Sequence, residues 1–399
     1  MKKAFIFAAT AALALAACSK NEIIETINKV PEEVAIGFSN YTPNAVTKAD
    51  NSHVDGTALV EDKTFAVYAW QTDHESWLTA NPGDPTFMSP AVVTWHGDTT
   101  DGDGNTYTPT RYWPSGDSPK ELSFAAYYPY GALGIGAPSF AASGDGGVGT
   151  YSFTVQSTPA DMVDFCVADV VNDQEYGHTN AGDSYKQTVK FTFKHQLTKV
   201  QFQFKTIAGL ANTTVIELTN AQLTGIKNTG TLKASYAQAA SPAVNTIGTT
   251  TTEWSDVSGN GSYQLTVNSV NPASSPIVLT ATASEVNNND IFLMVPQDMA
   301  ATTQTLNLTW RVRVYDNGDH ATSNSGTAEG GLLSETINTK ALSLYSNLVT
   351  SDSDDTSAYA INWGMNQFIT YTITIGPKPI YFTGTVNAWG EQNGYFSVN

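Results

Sequence analysis

Leu306-Asn307-Leu308-Thr309-Trp310-Arg311-Val312-Arg313-Val314 is the stretch on which the reading of the fold turns. A period of two puts Leu306, Leu308, Trp310, Val312 and Val314 on one side of an extended chain, and Asn307, Thr309, Arg311 and Arg313 on the other. A helix, with about 3.6 residues per turn, mixes these two sets on every face. The stretch is therefore a strand with one face in a core and the other in water.

The same rhythm recurs in both directions. Val200, Phe202 and Phe204 alternate with Gln201, Gln203 and Lys205; Tyr263, Leu265 and Val267 with Gln264, Thr266 and Asn268; Ile369, Tyr371, Ile373 and Ile375 with Thr370, Thr372 and Thr374. Turn-formers separate such runs: Asn81-Pro82-Gly83-Asp84, Asp101-Gly102-Asp103-Gly104-Asn105, Gly144-Asp145-Gly146-Gly147 and Asn317-Gly318-Asp319. Long amphipathic helices are absent from the pattern, and no solenoid or propeller period emerges. The economical architecture is all-β, with two tandem β-sandwich domains. The polar run Asn180-Ala181-Gly182-Asp183-Ser184, with fresh strands from Val189, places the division near residue 187. This gives an N-terminal domain over 49–187 and a C-terminal one over 188–399.

Of the 399 residues 41% are hydrophobic, enough for sizeable cores, and only 14% are charged. Wet strand faces are thus left to Thr, Ser, Asn and Gln, as suits exported β-proteins. The formal net charge of −18 repels phosphate backbones, so no nucleic-acid partner is expected. Solvation is sufficient reason for that charge.

The first residues read as an address. Met1-Lys2-Lys3 is basic, Ala4 to Ala14 is apolar but too short to span a bilayer, and Leu15-Ala16-Ala17-Cys18 resembles the bacterial lipobox. Residues 1–17 are then a lipoprotein signal peptide, and Cys18 becomes the lipidated first residue. Each buried methylene of its acyl chains contributes about 0.8 kcal/mol to membrane anchoring. The other cysteine, Cys166, lies in the apolar run Val163-Asp164-Phe165-Cys166-Val167-Ala168 and reads as a small buried hydrophobe. With Cys18 committed, neither a disulfide scaffold nor a Cys-based zinc site is expected.

Catalytic signatures are missing. The histidines at 53, 74, 96, 178, 195 and 320 form no metal-spaced pair, and there is no nucleophile elbow or P-loop. Gly144-Asp145-Gly146-Gly147-Val148-Gly149 has dinucleotide-loop spacing, but a strand follows where a helix is needed. Asp101, Asp103 and Asn105 have calcium-loop spacing, yet Tyr112 stands where a bidentate Glu belongs, so a hairpin tip is the better reading. The chain is read as a non-enzyme with no cofactor and no metal. The tryptophans, Trp70, Trp77, Trp95, Trp113, Trp254, Trp310, Trp363 and Trp389, read mostly as core, with a sugar-stacking platform as the alternative.

Several stretches resemble the fimbrillin family, the subunits of type V pili. They are Thr64-Phe65-Ala66-Val67-Tyr68-Ala69-Trp70, Tyr112-Trp113-Pro114 with Leu122-Ser123-Phe124-Ala125-Ala126-Tyr127-Tyr128-Pro129, and Phe193-Lys194-His195-Gln196-Leu197-Thr198-Lys199-Val200-Gln201-Phe202. Leu293-Met294-Val295-Pro296-Gln297, Asn362-Trp363-Gly364 and Ile380-Tyr381-Phe382 continue the set in family order. The resemblance implies transthyretin-like sandwiches, export as an outer-membrane lipoprotein, and removal of an N-terminal segment by a surface protease of Arg/Lys specificity. The matching cleavage point is Lys48-Ala49, although the family often carries Arg there; residues 18–48 then form a propeptide.

Within that propeptide, Glu33 to Ser39 reads as a strand with Val34, Ile36 and Phe38 on one face. Its loss opens an apolar groove beside an unpaired strand edge, a template for another chain. The resemblance makes the donor the C-terminal segment 380–399 of a neighbouring copy. There Ile380, Phe382, Val386 and Ala388 share one face; the alternative is that this strand closes its own sandwich. The expected function is a fimbrial subunit that polymerises by strand exchange with copies of itself or related pilins, supporting adhesion to a host or bacterial surface ligand. The competing reading is an anchored glycan-binding lipoprotein that does not polymerise.

Overall fold

The computed structural model describes residues 34–41, 59, 62–72, 83–96, 105–114, 120–143, 146–175, 188–237, 248–265, 276–285, 291–299, 303–325, 327, 330–344, 362–377, 380–388 and 396–397. These residues are almost entirely β, in four sheets. The helical elements among them are α1 (Gly318–Ser323), capped at its N-terminus by the Asn317 side chain, and one 3₁₀ turn at Pro159–Asp161.

The first sheet holds β1 (Gly37–Tyr41), β2 (Thr64–Thr72), β3 (Met88–Thr94), β4 (Glu121–Tyr128), β7 (Cys166–Ala168), β8 (Val171–Gln174) and β9 (Thr188–His195). Its order is β1-β9-β7-β4-β2-β3, with β8 also on β4. The second sheet, in order β13-β12-β6-β5, contains β5 (Ser139–Ser143), β6 (Gly146–Thr154), β12 (Thr229–Ala237) and β13 (Thr249–Ser258). The third is built on β11 (Thr214–Ile226), β14 (Gly261–Gln264), β18 (Thr305–Tyr315) and β19 (Leu332–Ser343), in order β14-β11-β18-β19, with β15 (Ile277–Val278) on β11. The fourth runs β16-β10-β20-β21-β22. It contains β10 (Thr198–Thr206), β16 (Ser284–Glu285), β20 (Gln367–Ile375), β21 (Ile380–Ala388) and β22 (Phe396–Ser397), with β17 (Ile291–Met294) on β10.

Side-chain alternation explains the third and fourth sheets. Leu306, Leu308 and Trp310 of β18 are buried with Leu218, Ala221 and Leu223 of β11, against Val200, Phe202 and Phe204 of β10 and Ile369, Tyr371 and Ile373 of β20. Tyr371 stacks on Phe202 and accepts a hydrogen bond from the Trp363 indole (3.0 Å). Alternation fails in β2 and β4 for a different reason: both faces are covered. Ala66, Tyr68 and Trp70 face one core with Ala125 and Tyr127, while Phe65, Val67 and Ala69 face another with Phe124, Ala126 and Tyr128. Hence Thr64–Trp70 and Leu122–Tyr128 are nearly continuous apolar runs.

Two pairings join strands on either side of residue 187. β9 returns across the polar run to pair with β7, and β12, residues 229–237, pairs with β6, residues 146–154. One apolar cluster runs from Tyr68 and Tyr151 through Tyr236 to Trp310 and Tyr371.

Candidate functional site

The strand expected at 33–39 lies at the edge of the first sheet. β1 pairs with β9 in parallel, Gly37 opposite Thr188 through Tyr41 opposite Thr192, and Ala35 forms a bridge with Tyr112 just before it. Two backbone bonds hold that bridge: Ile36 N–H donates to Arg111 O (2.9 Å), and Trp113 N–H donates to Val34 O (2.9 Å). Two side chains clamp the other carbonyls, Tyr107 Oη on Ile36 O (2.8 Å) and Asn105 Nδ2 on Phe38 O (2.8 Å). The segment is thus held from both sides, by β9 and by residues 105–113.

Ile36 and Phe38 are each only 1% exposed, and Val34 packs against the same cluster from its rim. Phe38 stacks on Phe191 with ring centroids 5.9 Å apart, and meets Phe124 edge-on at 6.1 Å and Tyr107 at 5.3 Å. Beneath lie Phe65, Val67, Phe193 and Trp113. Among the described residues no second sheet lies over this face of the first sheet. Its cover consists of the N-terminal segment, the 105–113 loop and single residues such as Leu59 and Trp95. The segment is thus an edge strand whose Ile36 and Phe38 side chains help to cover an aromatic cluster. Sequence reading missed Tyr107 and Asn105, whose grip depends on a loop returning to this edge.

Cys18, Lys48 and Ala49 lie outside the described residues, as do Trp77 and Trp389. Ile380, Phe382, Val386 and Ala388 fall in β21, which pairs antiparallel with β20 of the same chain, Ile380 opposite Ile375 through Ala388 opposite Gln367. β22 lies on its outer side. Within this one copy, then, the C-terminal strand completes its own sheet. Trp70, Trp95, Trp113, Trp310 and Trp363 are core residues, and Trp254 donates its indole N–H to Gln196 O (2.8 Å).

The structure does gather one chemically interesting trio that spacing hides. Asp164, Cys166 and His195 are fully buried together, with ligand atoms within 4.8 Å of one another. His195 donates from Nδ1 to the Asp164 carboxylate (3.0 Å), and Cys166 Sγ lies 3.6 Å from that carboxylate. Burial first, and the Asp164 charge second, push the Cys166 thiol well above its usual pKa. A protonated thiol donates and does not ligate, so the trio reads as a hydrogen-bonded pin between β7 and β9. Family-like residues elsewhere pin as well. Gln297 accepts from Lys227 N–H (2.9 Å) and donates to Lys227 O (3.0 Å), and Thr198 Oγ1 donates to Gly364 O (2.7 Å).

Fold and site together define a class: an all-β protein whose buried polar groups brace the sheets and whose distinctive surfaces are strand edges. The sequence matches the fimbrillin-like family over residues 47–389, and the chain belongs to that family. A fimbrial protein from Bacteroides vulgatus superposes with a TM-score of 0.52 at 18% identity, covering 89% of this chain and 99% of that one. A candidate cell adhesion protein from Bacteroides uniformis gives 0.39 at 14% identity (90% and 99%). A candidate polysaccharide-binding protein from Bacteroides thetaiotaomicron gives 0.40 at 11% (92% and 99%). No curated protein sequence matches.

Proposed function

We propose that this chain is a structural subunit of a cell-surface fimbria, exported as a lipoprotein on Cys18, cut after Lys48, and polymerised by donor-strand exchange. The observation that carries the reading is the seating of residues 34–41. They form a short edge strand outside the sheet's own hairpins, joined to the rest by a chain segment that contains Lys48. Two fully buried side chains, Ile36 and Phe38, contribute roughly 3–6 kcal/mol gross, at about 1.5–3 kcal/mol each. Departure of the strand uncovers Phe191 and Phe124 and frees the outer edge of β9, and an incoming strand restores both the apolar contacts and the backbone bonds.

The donor in this reading is β21 with the residues after it, released from β20 on assembly. Ile380, Phe382, Val386 and Ala388 fill the slot of the next copy, roughly 10 kcal/mol gross with backbone pairing included. The partners are other copies or related pilins, the outer membrane through the lipid of the precursor, a protease of Arg/Lys specificity, and a ligand on a host or bacterial surface. The glycan-binding alternative needs exposed aromatic platforms, and the five core tryptophans do not supply one.

The test is the N-terminal residue of protein recovered from cells, together with the behaviour of a chain lacking 380–399. The reading expects Ala49 in fimbriae, and a truncated chain that folds but stays monomeric. Filaments of normal length from the truncation, or Cys18 as the sole N-terminus, would overturn it.

A further inference from the structure

We propose that the free edge of β19 is a second assembly surface, one that pairs antiparallel with β19 of another copy about a two-fold axis through Ile337. This joint is separate from the slot under residues 34–41 and does not depend on cleavage.

Most other sheet edges among the described residues carry a device that discourages pairing. β3 contains Pro90 and is partly covered at Thr94 by a bridge to Thr106. β13 is broken by a register shift opposite 229–231, where Asp256 adopts a left-handed φ of 52°. β14 has four residues, and β16 and β22 two each. β1 and β5 have five residues each.

β19 is the long edge, and its one register shift lies at its very start, where Leu333 is passed over between Leu332 and Ser334. It is 12 residues long, it contains no proline, and it pairs with β18 in unbroken register from Ser334 to Ser343. Two large apolar side chains stand in water on its outer face, Leu333 at 68% and Ile337 at 66% exposure. Nothing pairs with its outer side among the described strands. Such an edge presents a row of backbone donors and acceptors to any strand that approaches.

The sequence of β19 selects a second copy as the occupant. A two-fold axis normal to the sheet keeps like faces together, and with Ile337 on the axis the cross-strand pairs within the regular register are Ile337–Ile337 and Glu335–Thr339. On the other face they are Thr336–Asn338 and Ser334–Lys340. No like charges are opposed, and the centre is an aliphatic pair of the kind that stabilises adjacent strands. The acidic member is already neutralised within its own sheet, since Arg313 Nε donates to Glu335 Oε2 (2.6 Å). A chain with net charge −18 thus offers an edge on which self-association meets little repulsion. On a subunit that also polymerises end to end, this lateral joint ties neighbouring filaments side by side.

The register makes the test specific. In the uncut full chain carrying Cys18→Ser, Ile337→Cys places two thiols face to face on the axis. Thr339→Cys places its thiols opposite Glu335, beyond disulfide reach of each other. Mild oxidation is expected to give about tenfold more covalent dimer for I337C than for T339C, because disulfides need Cα atoms within about 7 Å. The unmodified chain is expected to sediment as a concentration-dependent dimer that Ile337→Lys converts to monomer, with unchanged melting because Ile337 is exposed. Equal cross-linking of the two cysteine variants, or a monomer at every soluble concentration, would overturn the proposal. So would a monomer that takes up an added strand-forming peptide on β19, which would give the edge to a different partner.

Discussion

Phe38→Ala tests whether the N-terminal strand is an energetic part of the fold or an ornament on it. Phe38 is 1% exposed and touches three aromatic rings, those of Phe191, Phe124 and Tyr107. Truncating a phenylalanine in such a place typically costs about 3–5 kcal/mol, transfer and cavity together. The cover over this cluster is made of loops and a single edge strand, which relax more readily than a packed sheet, so the lower half of that range is expected. With a urea dependence of about 3 kcal/mol per molar, the midpoint falls by roughly 1 M. The assay is urea unfolding followed by tryptophan fluorescence, since Trp95 and Trp113 belong to the same cluster. The uncut chain should show the loss, whereas a chain trimmed after Lys48 lacks the residue altogether and defines the floor. An F38A midpoint equal to that of the unaltered uncut chain would refute the reasoning. So would a trimmed chain as stable as the untrimmed one, because then the segment covers nothing that matters.

Three further outcomes follow from buried polar groups. Gln297→Ala strips the side-chain partners from both Lys227 N–H and Lys227 O, and a loss of about 3 kcal/mol is expected in thermal unfolding; an unchanged Tm would remove Gln297 from the account. Asp164→Ala should cost about 1–3 kcal/mol by taking from the buried His195 Nδ1–H its carboxylate acceptor. Treatment with a chelator should change nothing, and a fall in Tm on chelation would instead show that the trio holds a metal. Burial pushes Tyr236 and Tyr263 up to about 12, and Tyr127 likewise, with Tyr130 adding to the shift. A raised folded-state pKa means stability is full below the unfolded value near 10 and drains away as pH climbs towards 12. Absorbance at 295 nm should therefore show a late tyrosine class that titrates with loss of structure; complete titration near pH 10 in a still-folded chain would contradict it.

Period-two runs were readable from sequence because one-sided burial writes itself into alternation. Leu306 to Val314 lies within β18, Val200 to Phe204 within β10, and Ile369 to Ile375 within β20, but Arg313 and Gln201, expected in water, are buried, Arg313 because it pairs with the buried Glu217. β12 and β13 were not anticipated. Their sequences, Thr229–Ala237 and Thr249–Ser258, are rich in threonine and small residues, and say little about which sheet they join. Local composition likewise does not report the pairing of β12 with β6, about 80 residues apart in the chain. Val34, Ile36 and Phe38 were legible as a strand face, and two of the three are fully buried. Their clamp, Tyr107 and Asn105, was hidden because residues some 70 positions apart carry no common local signal. His195 and Cys166, 29 apart, become neighbours only through cross-strand register.

The return of β12 to β6 has a consequence for how this molecule comes into being. A polypeptide that crosses a membrane amino-terminus first delivers residues 146–154 long before 229–237, so the earlier sheet waits, half-formed, for the later hairpin. High contact order of this kind slows folding. A chain that emerges amino-terminus first, as on the proposed export route, therefore cannot complete the sheet of β6 until β12 has emerged as well.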